Sequence, residues 1–175
     1  MNSQDVILGL LMRGEMSGYD IKHRLESIFS FFYNASFGTI YPTLSKLEKE
    51  GYISKMSVIQ EGRPNKNVYT ITEEGKKLFQ AYLHGPIERN EFKSDVMTRM
   101  FFGEFLEKDV MIGMLENQLQ DAHDKLNRLT EMYKVYKPEM SPTQEICIQI
   151  GISDKESLIR TLTQGIERLK KTNEK

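Results

Sequence analysis

Hydroxyls and cations gather at two places along this chain. The first is Ser36-Phe37-Gly38-Thr39-Ile40-Tyr41-Pro42-Thr43, with Lys46 three residues further on. The second is Gly62-Arg63-Pro64-Asn65-Lys66, followed by Tyr69. Tyr19 and Lys22 form a smaller group upstream. Small hydroxyl side chains beside a glycine let a backbone approach a hydrogen-bonding surface closely, while phenols and ammonium groups suit phosphate oxygens. That combination fits the base edges and backbone of a duplex better than it fits a reacting bond. Catalysis lacks its parts: no glycine-rich phosphate loop opens a helix, no Ser-His-Asp set shows a known spacing, and the carboxylates are scattered as surface pairs. His23, His84 and His123 are dispersed and Cys147 is the only cysteine, which leaves no metal-ligand spacing, no intrachain disulfide and no cofactor to expect. Cys147, among Ile146, Ile148 and Ile150, reads as a core thiol, with a thiol switch as the alternative.

The elements that must position these groups follow from periodicity. Residues 4 to 12 carry Val6, Ile7, Leu10 and Leu11 on one stripe, with Asn2 or Ser3 as N-cap, a first helix stopped by Gly14. Ser17 caps a second helix with Asp20 in its first turn, and Ile21, Leu25, Ile28 and Phe29 line its inner face. Pro42 lacks an amide hydrogen, so a helix accommodates it only in its first turn; a third helix therefore starts at Gly38 to Tyr41. Ile40, Leu44 and Leu47 face inward, leaving Thr39, Thr43, Lys46 and Glu50 outside, and Gly51 ends the helix as a C′ residue. Residues 52–59 and 67–72 read as two strands joined by the Gly62 to Lys66 turn. Lys55 reads as isolated beside this positive prong, with Glu61 as the only opposing charge. Thr72 caps a fourth helix bearing Leu78, Phe79 and Tyr82, which Gly85-Pro86 ends. Three helices, a two-stranded wing and a helix predict a winged helix-turn-helix over residues 1–85. Tyr41 suits either packing on the second helix or a phosphate contact, and Tyr69 either wing packing or DNA.

Residues 86–175 follow another pattern. Residues 87–106 look helical, and Phe92, Met97, Phe101 and Phe102 could line a pocket for a small aromatic or hydrophobic effector. Ile112, Leu115, Leu119, Ala122, Leu126, Leu129, Tyr133 and Tyr136 then step by alternating threes and fours, a heptad seam that needs a partner helix. Pro138 and Pro142 end it, Ser141 to Gln144 forms a capping box, and a last helix, either running through Gly151 or broken there with a second capping box at Ser153 to Glu156, carries Ile146, Ile150, Leu158, Leu162, Ile166 and Leu169. The seam residues and Leu158, Leu162, Ile166 and Leu169 are expected to make a dimer. The predicted fold is thus mainly α with a small β-hairpin, a winged domain followed by an antiparallel helical dimerisation domain.

At 175 residues, 39% apolar and 28% charged, the composition is that of a globular protein able to bury a core. No apolar run is long enough for a membrane span and the first residues have no signal-peptide pattern, so a cytoplasmic location is expected. Net charge is −1, with ten Lys and Arg against nine Asp and Glu over residues 1–85. DNA contact would therefore rest on local clusters, and non-specific affinity should be low and fall with salt.

The first half resembles the PadR family of bacterial transcriptional regulators through Ile7-Leu8-Gly9-Leu10-Leu11, Ser17-Gly18-Tyr19-Asp20-Ile21, Gly38 to Leu44, Leu47-Glu48, Gly51-Tyr52-Ile53, Gly62 to Lys66, Tyr69 to Thr72, and Gly75. The second half is similar in helical pattern to the longer branch of that family. The resemblance implies a homodimeric repressor of an inverted-repeat operator, released by a small molecule. The chain has no Trp, so the tryptophan clamp that some shorter members use for flat aromatic drugs does not carry over. Expected DNA contacts are Tyr19, Lys22, Ser36, Gly38, Thr39, Tyr41, Thr43, Lys46, Arg63, Lys66 and Tyr69. The expected partners are double-stranded DNA and a second copy of the chain, with the third helices about 34 Å apart for half-sites one turn apart. The rival reading, which the near-neutral charge favours, is a protein-interaction scaffold whose winged domain no longer binds DNA.

Overall fold

A computed structural model of the chain describes residues 2–26, 37–59, 66–89 and 92–172. Ser36, Arg63, the inner residues Ile28 and Phe29, and the turn from Glu61 to Asn65 lie outside them. The chain divides into two compact units, Met1–Asn90 and Glu91–Lys175.

In the first unit, α1 (Ser3–Leu11) is started by Asn2, whose side chain accepts from the amides of Gln4 and Asp5 while Asp5 accepts from the Asn2 amide. A short strand, β1 (Met16–Ser17), leads into α2 (Gly18–Arg24). A 3-10 turn at Phe37–Thr39 opens α3 (Ile40–Lys49), so Pro42 falls in the first turn, where its missing amide is harmless. Gly51, at φ +77°, supplies the left-handed residue that ends α3, and β2 (Ile53–Val58) follows at once. β3 (Lys66–Ile71) and α4 (Glu73–His84) complete the unit.

Strand order is β1-β3-β2, all antiparallel, with Ser17 opposite Val68 and Val58 opposite Lys66. The expected two-stranded wing is thus a three-stranded sheet. β1 is two residues long, too short to show a period, and it stitches the start of α2 to the second wing strand. The core beneath holds Ile7, Leu8, Leu11, Ile21, Leu25, Ile40, Leu44 and Leu47, all essentially without solvent contact. Two family-type glycines are explained by this packing. A β-carbon on Gly9 would lie 2.9 Å from the Phe79 ring, and one on Gly75 would lie 2.1 Å from the Tyr52 carbonyl oxygen.

In the second unit the helix expected over 87–106 is reduced to α5 (Asp95–Phe101), capped by Ser94 and followed by a 3-10 turn at Gly103–Phe105. The polar run before Ser94 has no apolar stripe to bury, and Ser94 supplies a better start. α6 (Lys108–Tyr136) and α7 (Pro142–Lys171) form an antiparallel hairpin. Lys108 at the start of α6 donates to the carbonyl of Thr172 beyond the end of α7, and Tyr133 near the end of α6 donates to Glu145 near the start of α7.

This hairpin corrects the expected dimer seam. Ile112, Leu115, Leu162 and Ile166 form one buried cluster within the chain, with Leu119 and Leu169 packed against it, and Ala122 and Leu129 are buried further along. Leu126 is half-buried on the same side, so the heptad stripe has found its partner helix in its own chain. Leu158 is 40% exposed and turns outward; Ile159, one residue on, is half-buried. Ile146 and Ile150 are likewise exposed and Ile148 is buried between them; Cys147 is exposed too, so it is not the core thiol expected, because the inner side of this turn of α7 falls on Ile148. α7 runs unbroken through Gly151, which is buried.

Candidate nucleic-acid interface

The outward face of the first unit is built on α3. Because Ile40, Leu44 and Leu47 are fully buried, the residues between them have no choice of direction. Gly38, Thr39, Tyr41 and Lys46 are exposed and Thr43 is half-buried. The Thr43 hydroxyl donates to the Thr39 carbonyl at 2.7 Å, a back-bond one turn along the helix that fixes its rotamer. The Thr39 hydroxyl lies 3.3 Å from that of Ser3 on α1 and does not cap α3.

Tyr41 joins α3 to α2. A β-carbon on Gly18 would stand 2.8 Å from the edge of the Tyr41 ring, so the glycine exists to let that ring lie across the start of α2. The tyrosine is nevertheless 54% exposed, and both roles expected for it, packing and outward contact, are compatible with its position. Tyr19, one residue after Gly18, is 70% exposed and stacks on His23 at 6.5 Å between ring centres. Tyr69 is different. It is 7% exposed, belongs to the core, and burial pushes its phenol above the ordinary tyrosine range. Of its two expected roles, wing packing is the one its burial supports, and it leaves the set of outward residues.

Four lysines of this face, Lys22, Lys46, Lys55 and Lys66, have carboxylate partners among the described residues. Lys22 lies 3.7 Å from Glu26 and Lys46 lies 3.9 Å from Glu50, each one helical turn apart. Lys55 is not isolated: it donates to Glu48 at 3.0 Å, which raises the lysine above its usual value. Lys66 lies 3.2 Å from Asp20, so Glu61 is not the only charge opposing the prong. Asp20 also closes the capping box of α2. Its Oδ2 accepts from the Ser17 hydroxyl at 2.6 Å and the Ser17 amide at 3.2 Å, while its own amide donates to Ser17 Oγ at 3.1 Å. The Ser17 hydroxyl, then the Ser17 amide and Lys66, hold the Asp20 carboxyl below the usual carboxylate range against the opposing effect of burial. Sequence reasoning missed both of these helix-to-strand pairs; in the second, the β1-β3 pairing is what brings residue 20 to residue 66.

In the second unit, Phe92, Met97, Phe101 and Phe102 do come together. With Lys93, Ser94, Asp95 and Thr98 they line an open concavity of about 520 Å³, and Phe101 meets Phe102 edge-on at 5.1 Å. Phe92 and Phe101 are about four-fifths exposed, so the concavity is a cradle rather than an enclosed cavity.

Comparison with known proteins agrees with this architecture. Residues 7–81 match the model of the transcriptional regulator PadR-like family, and residues 92–170 match that of the virulence activator alpha C-terminal domain. The negative transcriptional regulator PadR of Bacillus subtilis is 34% identical over 138 residues, 78% of this chain and 75% of that protein. Among solved structures, smu.1604c from Streptococcus mutans UA159 is 41% identical with a TM-score of 0.90, covering 95% of this chain and 99% of its own. The Bacillus subtilis PadR structure in complex with operator DNA is 28% identical with a TM-score of 0.79, covering 95% and 98%. The same protein in complex with p-coumaric acid is 27% identical with a TM-score of 0.72, covering 96% and 98%. With a winged N-terminal unit, a helical C-terminal unit and these relatives, the chain belongs to the PadR-like family of transcriptional regulators.

Proposed function

We propose that the chain is a cytoplasmic, non-enzymatic repressor that binds an inverted-repeat operator as a homodimer and is released by a small aromatic or hydrophobic effector. The observation that carries this reading is the division of α3: three fully buried aliphatic residues fix it, and Gly38, Thr39, Tyr41, Thr43 and Lys46 are left on its outer side. In that placement Thr39 and Thr43 reach base edges in the major groove, and Tyr19, Tyr41, Lys22, Lys46 and Lys66 reach phosphates. Ser36 and Arg63 keep the same proposed roles from sequence. The solved complex of the related Bacillus subtilis PadR with operator DNA supports the reading.

Two details are adjusted to the fold. With the heptad stripe closed inside the chain, self-association falls to outward apolar residues of the second unit, among them Ile146, Ile150 and Leu158 on α7. The effector would occupy the cradle of Phe92, Met97, Phe101 and Phe102; the p-coumaric acid complex of the same relative supports an aromatic acid as its class.

Selection of genomic fragments by the purified protein tests the function. Enrichment of a palindromic sequence that then shifts in a gel titration supports it. An absence of enrichment at low salt supports the scaffold reading, for which the near-neutral charge and the paired lysines speak.

A further inference from the structure

Of the four carboxylates that pair with Lys22, Lys46, Lys55 and Lys66, three stand on flexible glutamate side chains that can swing away when a phosphate arrives. Asp20 cannot. Its Oδ2 is held by both donors of Ser17, a residue that is 3% exposed and tied into the sheet opposite Val68. The carboxylate is therefore a fixed negative charge on the proposed DNA face, between Tyr19 on α2 and Lys66 on β3. A helix cap alone does not need that charge, since the amide oxygen of Asn accepts from the same donors.

We propose that Asp20 determines specificity by competing with DNA phosphate for Lys66. The inference rests on the DNA-binding reading given above. In the free protein Asp20 holds Lys66, so a passing duplex gains little from that lysine. Only where α3 is seated in its groove is Lys66 close enough to a phosphate, for long enough, to change partner. The exchange lowers affinity for every duplex, but proportionally most for non-cognate DNA, whose binding is almost wholly electrostatic.

The test is a cycle of D20N, K66Q and the double variant. Each is titrated by fluorescence anisotropy with the selected palindrome and with a scrambled duplex, over a series of salt concentrations. Exposed pairs of this kind predict that D20N binds the scrambled duplex about two- to fivefold more tightly, with a salt slope steeper by about one unit. The gain vanishes in the K66Q background, and the ratio of cognate to scrambled affinity falls. Unchanged or weaker binding of the scrambled duplex by folded D20N overturns the proposal, and so does a gain that survives K66Q. Should D20N fail to melt cooperatively, D20S restores a cap acceptor without charge and is held to the same outcomes. Failure of the DNA-binding reading looks different: the wild-type chain then binds neither duplex at low salt.

Discussion

Replacing Gly75 by alanine should unfold the winged unit at a markedly lower temperature. The added β-carbon would stand 2.1 Å from the Tyr52 carbonyl oxygen and 2.8 Å from Ile71 Cγ1, where real contacts of this kind stay beyond 3.0 Å. The oxygen is backbone and is held in place: it accepts from the Thr72 amide at 3.0 Å, while the Thr72 hydroxyl donates to the neighbouring Gly51 carbonyl at 2.7 Å and accepts from Gly75 itself. Relief requires the first turn of α4 to back away from the corner between α3 and β2. That movement sacrifices the Thr72–Tyr52 bond, about 1 kcal/mol, and loosens Leu78 and Phe79 against the core, about 1–3 kcal/mol. The gain in helix propensity of alanine over glycine offsets at most about 1 kcal/mol. The net loss is about 2 kcal/mol, which in a unit of this size lowers Tm by roughly 8–16 °C. Thermal unfolding followed by far-ultraviolet circular dichroism reads it directly. A melting temperature within about 2 °C of wild type would refute the argument that this close approach, rather than chain flexibility, accounts for the glycine.

Gly113→Ala on α6 and Gly165→Ala on α7 should do the opposite, because nothing lies within 4 Å of either added β-carbon. Each is expected to stabilise the helical unit by about 0.5–1 kcal/mol in urea titrations, and destabilisation at either would show that a neighbour occupies that space in solution. Asp20 sets a pH dependence. Its carboxyl is held below its unfolded value, so its contribution is complete above that value, about pH 4, and is lost as pH falls through the lower folded value. D20N should therefore narrow its stability gap to wild type as pH drops below about 4, and a gap that widens on acidification would contradict the assignment. Ile150→Glu on the outward side of α7 should shift the chain toward monomer in analytical ultracentrifugation without lowering its helicity. A dimer of undiminished affinity would remove that surface from the proposed interface.

How far the sequence foretold the fold depends on how local each signal was. α3 was legible to within a residue because Pro42, the Ile40–Leu44–Leu47 spacing and Gly51 each constrain the same ten residues. The caps at Ser17 and Ser141 were legible for the same reason, since partners three residues apart share a turn, whereas the first helix left Asn2 and Ser3 as alternatives and the structure uses Asn2 with Asp5. β1 was not, because two residues have no period, and its effect is visible only in what it joins. The register of α7 was ambiguous in principle: Leu158 and Ile159 are both aliphatic, and either continues a three-four pattern to Leu162. In the structure Leu158 is exposed and Ile159 is half-buried. A heptad stripe states that a partner helix exists but not whose it is, and a turn of a few residues after Tyr136 made the partner intramolecular.

The candidate interface was legible in the same unequal way. The exposed faces of α2 and α3 follow from their buried faces, so Tyr19, Gly38, Thr39, Tyr41, Thr43 and Lys46 are where periodicity puts them. The helical pairs Lys22–Glu26 and Lys46–Glu50 are four residues apart and could be read directly. Lys55–Glu48 and Lys66–Asp20 could not, since they depend on how the sheet is laid against the helices. Tyr69 shows the limit of alternation in a wing strand: the period separates two faces, but only the core beneath decides which one is dry.

The central claim is that the outer side of α3 reads base edges, and Thr43→Ala tests it most directly. Thr43 is held by its own bond to Thr39, and the substitution leaves Ile40, Leu44 and Leu47 in place. Titrations should be run on the selected palindrome and on every single-base variant of one half-site. Loss of one specifying contact predicts about tenfold weaker binding of the palindrome, relaxed preference at one base pair in each half-site, and unchanged affinity for scrambled DNA at the same salt. Equal losses on palindrome and scrambled duplex, or an unaltered preference at every position, would contradict the claim.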